Sequence, residues 1–181
     1  MTGSKFYDII YLERKVGCYS MFISSILAGI SIGIAAILFC LAPNSLIGAG
    51  LFTLGLLNVL LMKYHLVTGK FQHFGTQYGF ADLGKMLTGN VLGVSLVALV
   101  AMITLPQVAA TATGIATAKI AVPLLTTFGK AILCGYIMTV ATRPNTPLWV
   151  SALGVFAFVC TGLNHCVADA FYYVFNNSSL L

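Results

Sequence analysis

The sequence predicts an all-α integral membrane protein, on the grounds of its composition and the distribution of its charges. Hydrophobic residues make up 59% of the 181 positions and charged residues 7%, with a mean hydropathy of +0.99. Soluble domains carry about 25% charged residues. A helix of about 18 or more apolar residues can cross a bilayer. The stretches without a charged residue that reach this length are 18–42, 43–62, 86–118 and 144–168.

The first predicted span follows a short basic arm, residues 1–17, which contains Lys5, Arg14 and Lys15. Its apolar stretch exceeds the roughly 7 to 15 residues of a cleaved signal peptide, so we expect it to stay as a helix. Basic residues collect on the cytoplasmic side of membrane proteins, which predicts a cytoplasmic N-terminus. Span one then runs outward, and span two returns to the cytoplasm near Thr68.

The second half of the chain is harder to divide, because Lys119 and Lys130 interrupt its apolar run. The best fit places a turn at Gly129 and Lys130, with a short span on either side. The prediction is a six-span domain, residues 18–175, and a cytoplasmic tail, residues 176–181. The last four predicted spans are residues 82–105, 112–127, 131–142 and 147–175.

Glycine-interrupted apolar segments at corresponding places in two halves indicate an inverted repeat with its site at the midplane. The sequence at 88–90 has a partial echo at 161–164. We therefore expect two inverted three-helix repeats, with spans two and five interrupted. Closely spaced glycines such as Gly29 and Gly33 indicate tight helix packing, either within one protomer or between protomers.

A polar cluster with an imidazole, His165, lies near the end of the last apolar stretch. Ionisable groups inside a bilayer are costly and usually face a bundle interior or an aqueous cavity. His165 therefore predicts a permeation or proton-handling site. The alternative is a structural histidine whose hydrogen bonds are satisfied.

No feature of the sequence predicts enzyme chemistry. The four acidic residues lie far apart, which argues against a catalytic carboxylate pair. The five cysteines have no metal-ligand spacing and are interpreted as small hydrophobic residues. We expect no cofactor, no metal and no nucleic-acid partner. The net charge of +5 is explained by lysines that face anionic lipid headgroups.

Four segments carry recognisable motifs in a consistent order. Residues 63–70 are similar to G-A-E-L-F-T-G-N, residues 89–93 to G-N-x-x-G, and residues 130–141 to R-x-I-L-C-N-W-L-V-x-L-A. The strongest match is 161–171, which is similar to S-G-F-E-H-S-V-A-N-M-F. Together these segments resemble the formate/nitrite transporter family over about residues 20–175.

The resemblance implies a homopentamer of aquaporin-like protomers, each with its own pore. The solutes would be small monovalent anions or their conjugate acids: formate, nitrite, hydrosulfide or a short monocarboxylate. In that scheme His165 is the central pore histidine, Thr68 hydrogen-bonds to it, and Lys119 supplies positive potential beside the pathway.

An anion that crosses an apolar constriction loses several kcal/mol of solvation, whereas its protonated form loses far less. Whether His165 donates the proton or only polarises the solute stays open at this point.

Further candidates follow from the same motifs. Asn90 and Asn164 either line the lumen or tie helices together. His65 and Asn164 replace family glutamates, and Gly135 replaces an asparagine, so that the lost negative charge favours anions or enlarges the pore mouth. The candidates for the apolar constriction are Phe52, Leu56, Phe156 and Phe158.

Two other classes of function stay open. One is an unrelated small-solute or proton-coupled transporter, which would still use His165 but need not be pentameric. The other is a non-conducting membrane scaffold. In each case we expect a multi-pass protein of the cell membrane, with both termini in the cytoplasm.

Overall fold

The structure, a computed structural model, describes the backbone of residues 3–178 and the side chains of residues 20–176. The basic side chains of the predicted arm, and most of the predicted tail, lie outside these residues. The described chain is all-helical. Its elements are α1 (Gly3–Leu41), α2 (Ser45–Leu61), α3 (Val67–Lys70), a 3₁₀ turn (Phe71–His73), α4 (Phe80–Thr104), α5 (Pro106–Ile120), α6 (Leu124–Ala141), α7 (Leu148–Cys160) and α8 (Cys166–Ser178).

Three of these helices contain segments that are long and apolar enough to cross a membrane: Ser20–Leu41, Phe80–Thr104 and Leu124–Ala141. Two shorter apolar helices are Ser45–Leu61, between the first and second of these segments, and Leu148–Cys160, after the third. Many of their large hydrophobic side chains are exposed on the outside of the protomer. An exposed apolar surface of this extent suits a lipid environment better than water.

The glycines of α1 and α4 let these two helices pack with their backbones in contact. A Cβ atom at Gly93 would overlap the carbonyl oxygen of Ile26, and one at Gly29 would overlap that of Asn90. For these glycines, the predicted packing within one protomer is confirmed. α1 also packs against α2, α2 packs against α7, and α8 lies against α4 and α5.

The boundary between α5 and α6 differs from the prediction. Gly129 and Lys130 lie inside α6, so the turn predicted there is wrong. The chain turns instead at residues 121–123, where Pro123 precedes α6. Proline has no N–H and disfavours a helical conformation in the residue before it, so Pro123 separates α5 from α6. Glycine only weakens a helix, and α6 therefore continues through Gly129.

The predicted interruptions are half correct. The second predicted span is broken, since residues 62–66 separate α2 from α3. The predicted interruption of span five is wrong, because α6 is continuous. The other break lies within the sixth predicted span, where residues 161–165 separate α7 from α8. We call residues 62–66 the first break and residues 161–165 the second break.

The two breaks begin with the same backbone geometry. Lys63 and Gly162 have left-handed φ angles of 56° and 63°. In each case the next N–H reaches back five residues, from Tyr64 to the Val59 carbonyl and from Leu163 to the Phe158 carbonyl, at 2.9 and 3.1 Å. This is the Schellman pattern of helix ends. The internal correspondence thus lies between the breaks, whereas 88–90, the predicted echo, lies within α4.

The ends of α3 and α6 lie side by side. The Gln72 amide, just after α3, donates to the carbonyl and hydroxyl oxygens of Thr142, just after α6, at 3.3 and 3.2 Å. Six alternating spans would put these ends on opposite sides of a membrane, so the structure does not support that alternation. α5 has 15 residues, which is fewer than the roughly 20 that a spanning helix needs.

Candidate permeation pathway

Three spaces lie beside the two breaks, and the central one shares lining residues with each of the other two. The lysine vestibule, about 400 Å³, lies beside the first break and is lined by Lys63, Lys70 and His73 among other residues. The ion-pair vestibule, about 200 Å³, lies beside the second break and is lined by Lys119 and Asp169. Between them is a central cavity of about 10 Å³ beside His165.

Apolar side chains separate each vestibule from the central cavity. Leu56 and Leu66 line both the cavity and the lysine vestibule. Phe52 and Phe158 line both the cavity and the ion-pair vestibule, with ring centroids 6.2 Å apart and planes at 82°. Phe156, the fourth candidate, is not among the residues that line any of these spaces, because two residues along a helix turn a side chain by about 200°.

His165 is held on three sides at the narrowest point. Its ring stacks on Phe158, with centroids 5.3 Å apart and planes at 12°. The backbone N–H of Ala168 donates to its Nδ1 at 3.1 Å, and its Nε2 lies 3.0 Å from the Thr68 hydroxyl. Because Nδ1 accepts a hydrogen bond, the hydrogen of the neutral imidazole is on Nε2, which donates to Thr68.

A side opening of about 320 Å³ reaches His165 from the surface between α3, α6 and the second break. Thr68, Asn164 and Gly135 line this opening, and none of the three lines the three spaces of the pathway; Thr68 meets the pathway only through His165. The structure therefore brings Thr68 and His165 together as predicted, and it places the other two candidates at the side.

Asn90 lies outside the pathway and ties the first break to α1. Its amide nitrogen donates to the carbonyls of Ser25 and His65 at 2.7 and 2.9 Å, and its oxygen accepts from the Val67 N–H at 2.8 Å. The side chain is fully buried. Of the two predicted roles for Asn90, the structure supports the tie between helices.

His65, the other substituted position of the first motif, also makes structural contacts. Its backbone N–H and its Nδ1 lie 3.1 and 2.9 Å from the Ser24 hydroxyl, and its ring meets Tyr78 edge to face. These contacts direct His65 towards α1, and it does not line the central cavity.

Lys119 forms an ion pair with Asp169, which was not predicted from the sequence. Its ammonium nitrogen lies 3.0 Å from the Asp169 carboxylate and donates to the Leu163 carbonyl of the second break at 3.3 Å. Both side chains are largely buried, with 15% and 7% of their surfaces exposed. The sequence did contain a sign of this pair: in the strongest motif, residues 161–171, Asp169 stands where the family motif has an asparagine.

Comparisons with known proteins identify a family and a fold. Residues 11–178 match the family model for the formate/nitrite transporter. Among solved structures, a pentameric formate channel with formate bound superposes with a TM-score of 0.78 at 22% sequence identity, covering 91% of this chain and 76% of that one. No curated protein sequence matches the chain.

The superposition shows a shared fold. The family match extends from within α1 to the end of α8 and includes both breaks, both vestibules and the histidine between them. A transporter family, apolar helices and an all-helical fold together identify an integral membrane protein. The chain belongs to the formate/nitrite transporter family.

Proposed function

We propose that this protein is a channel for formate and related small monovalent anions or their conjugate acids, with a pathway through each protomer. The observation that carries the proposal is the series of spaces from one vestibule to the other, with a single ionisable ring, His165, at its narrowest point. The same solved channel supports formate as the first solute to test and a homopentamer as the assembly.

The size of the central cavity sets the conditions for passage. A volume of about 10 Å³ corresponds to a single water molecule. A formate ion therefore has to lose its hydration shell, and the rings of Phe52 and Phe158 have to move apart as it passes. Desolvation of a charge costs several kcal/mol, so a hydrogen-bond donor or a proton at this point lowers the barrier.

In this proposal His165 orients Thr68 rather than donating a proton. The ring donates through Nε2 to the Thr68 oxygen, and the hydroxyl hydrogen of Thr68 is then free to bond to a solute. Adding a proton at Nδ1 would place an N–H against the N–H of Ala168 and break that hydrogen bond. The geometry therefore favours a neutral imidazole that polarises the solute through Thr68.

The topology that we propose consists of two inverted halves. The first comprises α1, α2 with α3, and α4, and the second comprises α6 and α7 with α8, so that the two breaks approach the midplane from opposite sides. α5 then links the halves without crossing. With a cytoplasmic N-terminus, the lysine vestibule faces the cytoplasm, and the end of α8 lies on the other side.

The test is solute flux into proteoliposomes, measured for formate, nitrite, hydrosulfide and acetate over a series of pH values. We expect rapid formate flux from the wild type and a loss of at least tenfold in His165→Ala. Native mass measurement in detergent should give five protomers. If none of the four solutes moves faster than in empty liposomes while the protein is folded and pentameric, the proposal is wrong.

A further inference from the structure

The two vestibules differ in charge. Among the residues whose side chains the structure describes, the lysine vestibule is lined by Lys63 and Lys70 and by no acidic residue. In the ion-pair vestibule the cation, Lys119, is 3.0 Å from the carboxylate of Asp169. One mouth of the pathway is therefore cationic, and the other carries a cation whose charge is cancelled.

Asp169 and Lys119 are both placed where the backbone stabilises their charges. Asp169 lies in the first turn of α8, near the positive end of the helix dipole, and Lys119 lies in the last turn of α5, near the negative end. The ammonium also donates to the Leu163 carbonyl. The pair is thus held firmly beside the second break, and both side chains line the vestibule.

We propose that Asp169 determines how strongly this vestibule binds a permeating anion, because it occupies the ammonium group to which the anion would otherwise bind. This inference rests on the proposed function. A solute anion that reaches Lys119 has to compete with a carboxylate at hydrogen-bond distance and is repelled by the charge of that carboxylate. The vestibule therefore releases anions readily instead of holding them, and Lys119 does not act as a free attractor.

The substitution Asp169→Asn separates charge from shape. Asparagine has nearly the same volume and keeps an oxygen that can accept from Lys119, but it leaves the ammonium charge uncancelled. We expect the formate concentration that gives half-maximal flux to fall at least fivefold in Asp169→Asn. Lys119→Gln alone leaves the Asp169 carboxylate uncompensated and should raise this concentration, whereas in the Asp169→Asn background it should reverse the fall.

The matched control is Asp82→Asn. Asp82 also lies in the first turn of a helix and accepts a backbone hydrogen bond, from the Gly79 N–H at 3.1 Å, but it does not line either vestibule. We expect half-maximal flux at an unchanged formate concentration in this variant. A merely structural role of Asp169 would change the maximal flux or the stability, and would not selectively change the half-maximal concentration.

A binding measurement separates this inference from the proposed function. In detergent, formate should raise the unfolding temperature of Asp169→Asn at concentrations at least fivefold lower than it does for the wild type. If the wild type shows no formate flux, the proposed function fails, while the binding comparison still tests Asp169. The inference is overturned if Asp169→Asn binds formate within twofold of the wild type, or if adding Lys119→Gln to Asp169→Asn does not reverse the gain in formate binding.

Discussion

The first and second breaks share a backbone and differ in the side chains that hold them. Both have a left-handed residue at their second position, Lys63 or Gly162, and both end just before a half-helix. The first is tied by the neutral, fully buried amide of Asn90, whereas the second is tied by the ammonium of Lys119. The same backbone turn thus occurs twice. A neutral amide stabilises it in the first break, and an ion-paired lysine stabilises it in the second.

The residue that each break brings to the central cavity differs in the same way. Leu66 directly precedes α3, and His165 directly precedes α8, so the two occupy equivalent places. Both line the central cavity. One half therefore contributes an apolar wall, and the other contributes a hydrogen-bonding ring. Under the proposed function, selectivity for a small polar solute follows from this difference between the halves.

The largest effect is expected from removing the support of the first break. Asn90→Ala removes three hydrogen bonds and leaves the buried N–H of Val67 without its partner. At about 1 kcal/mol for each bond, we expect a loss of about 2 to 3 kcal/mol of stability. The measurement is the thermal unfolding midpoint in detergent.

Asn58→Ala is the control for this prediction, because the Asn58 amide makes a single side-chain bond, to Ser31. Its loss should be about one third as large. Equal shifts for the two variants would contradict the role that we assign to Asn90.

The left-handed residues give a second contrast between the breaks. Gly162→Ala places a Cβ atom at a left-handed φ and should destabilise the protein by about 1 kcal/mol. Lys63→Gly relieves the same strain in the first break and should stabilise it by about 0.5 kcal/mol, because glycine also loses more entropy on folding. Unfolding midpoints that shift in the same direction for the two variants would show that the left-handed residues after α2 and α7 are not equivalent.

A third effect concerns the contact between the breaks. Thr68→Val removes the hydroxyl that lies 3.0 Å from Nε2 of His165. We expect formate flux to fall about fivefold, the equivalent of about one hydrogen bond. Thr139→Val is the control, since Thr139 lines the same side opening but bonds only to its own helix, at Gly135. Similar flux in the two variants would mean that Thr68 does not act on the pathway.

The smallest effect is expected at the lysine vestibule. Replacing Lys63 and Lys70 by glutamine removes its lysine charges, which are partly screened by water and salt. The half-maximal formate concentration should rise about threefold at low ionic strength and hardly at all at high ionic strength. Lys130→Gln, which changes a lysine outside both vestibules, should have no effect. A rise that persists at high salt would exclude the electrostatic explanation.

Much of this architecture could be predicted from the sequence. Charge-free apolar stretches predicted membrane helices, and three described helices meet the length and hydropathy of a span. The contact between Thr68 and His165 followed from the motif resemblance, and the structure has it at 3.0 Å. These features are local or are carried by strong motifs, and for that reason they can be recognised in a single chain.

Other features depend on contacts that are distant in sequence. The Lys119–Asp169 pair joins residues on α5 and α8, so hydropathy and charge spacing could not reveal it. The predicted turn at Gly129 failed because hydropathy gave more weight to a charged residue than to Pro123. Whether α5 crosses the membrane depends on whether the ends of α3 and α6 lie on the same side. The contact that shows this, between Gln72 and Thr142, could not be predicted from the sequence.

The central claim, that two equivalent breaks form one pathway from opposite sides, is tested most directly by thiol labelling from each side of the membrane. Leu60 and Val159 occupy equivalent places three residues before the left-handed residue, and each lines one vestibule. The background is a variant that lacks the five native cysteines and retains formate flux.

With a membrane-impermeant thiol reagent, we expect Leu60→Cys to react only from the cytoplasmic side and Val159→Cys only from the opposite side. Reaction of both cysteines from the same side would contradict the account.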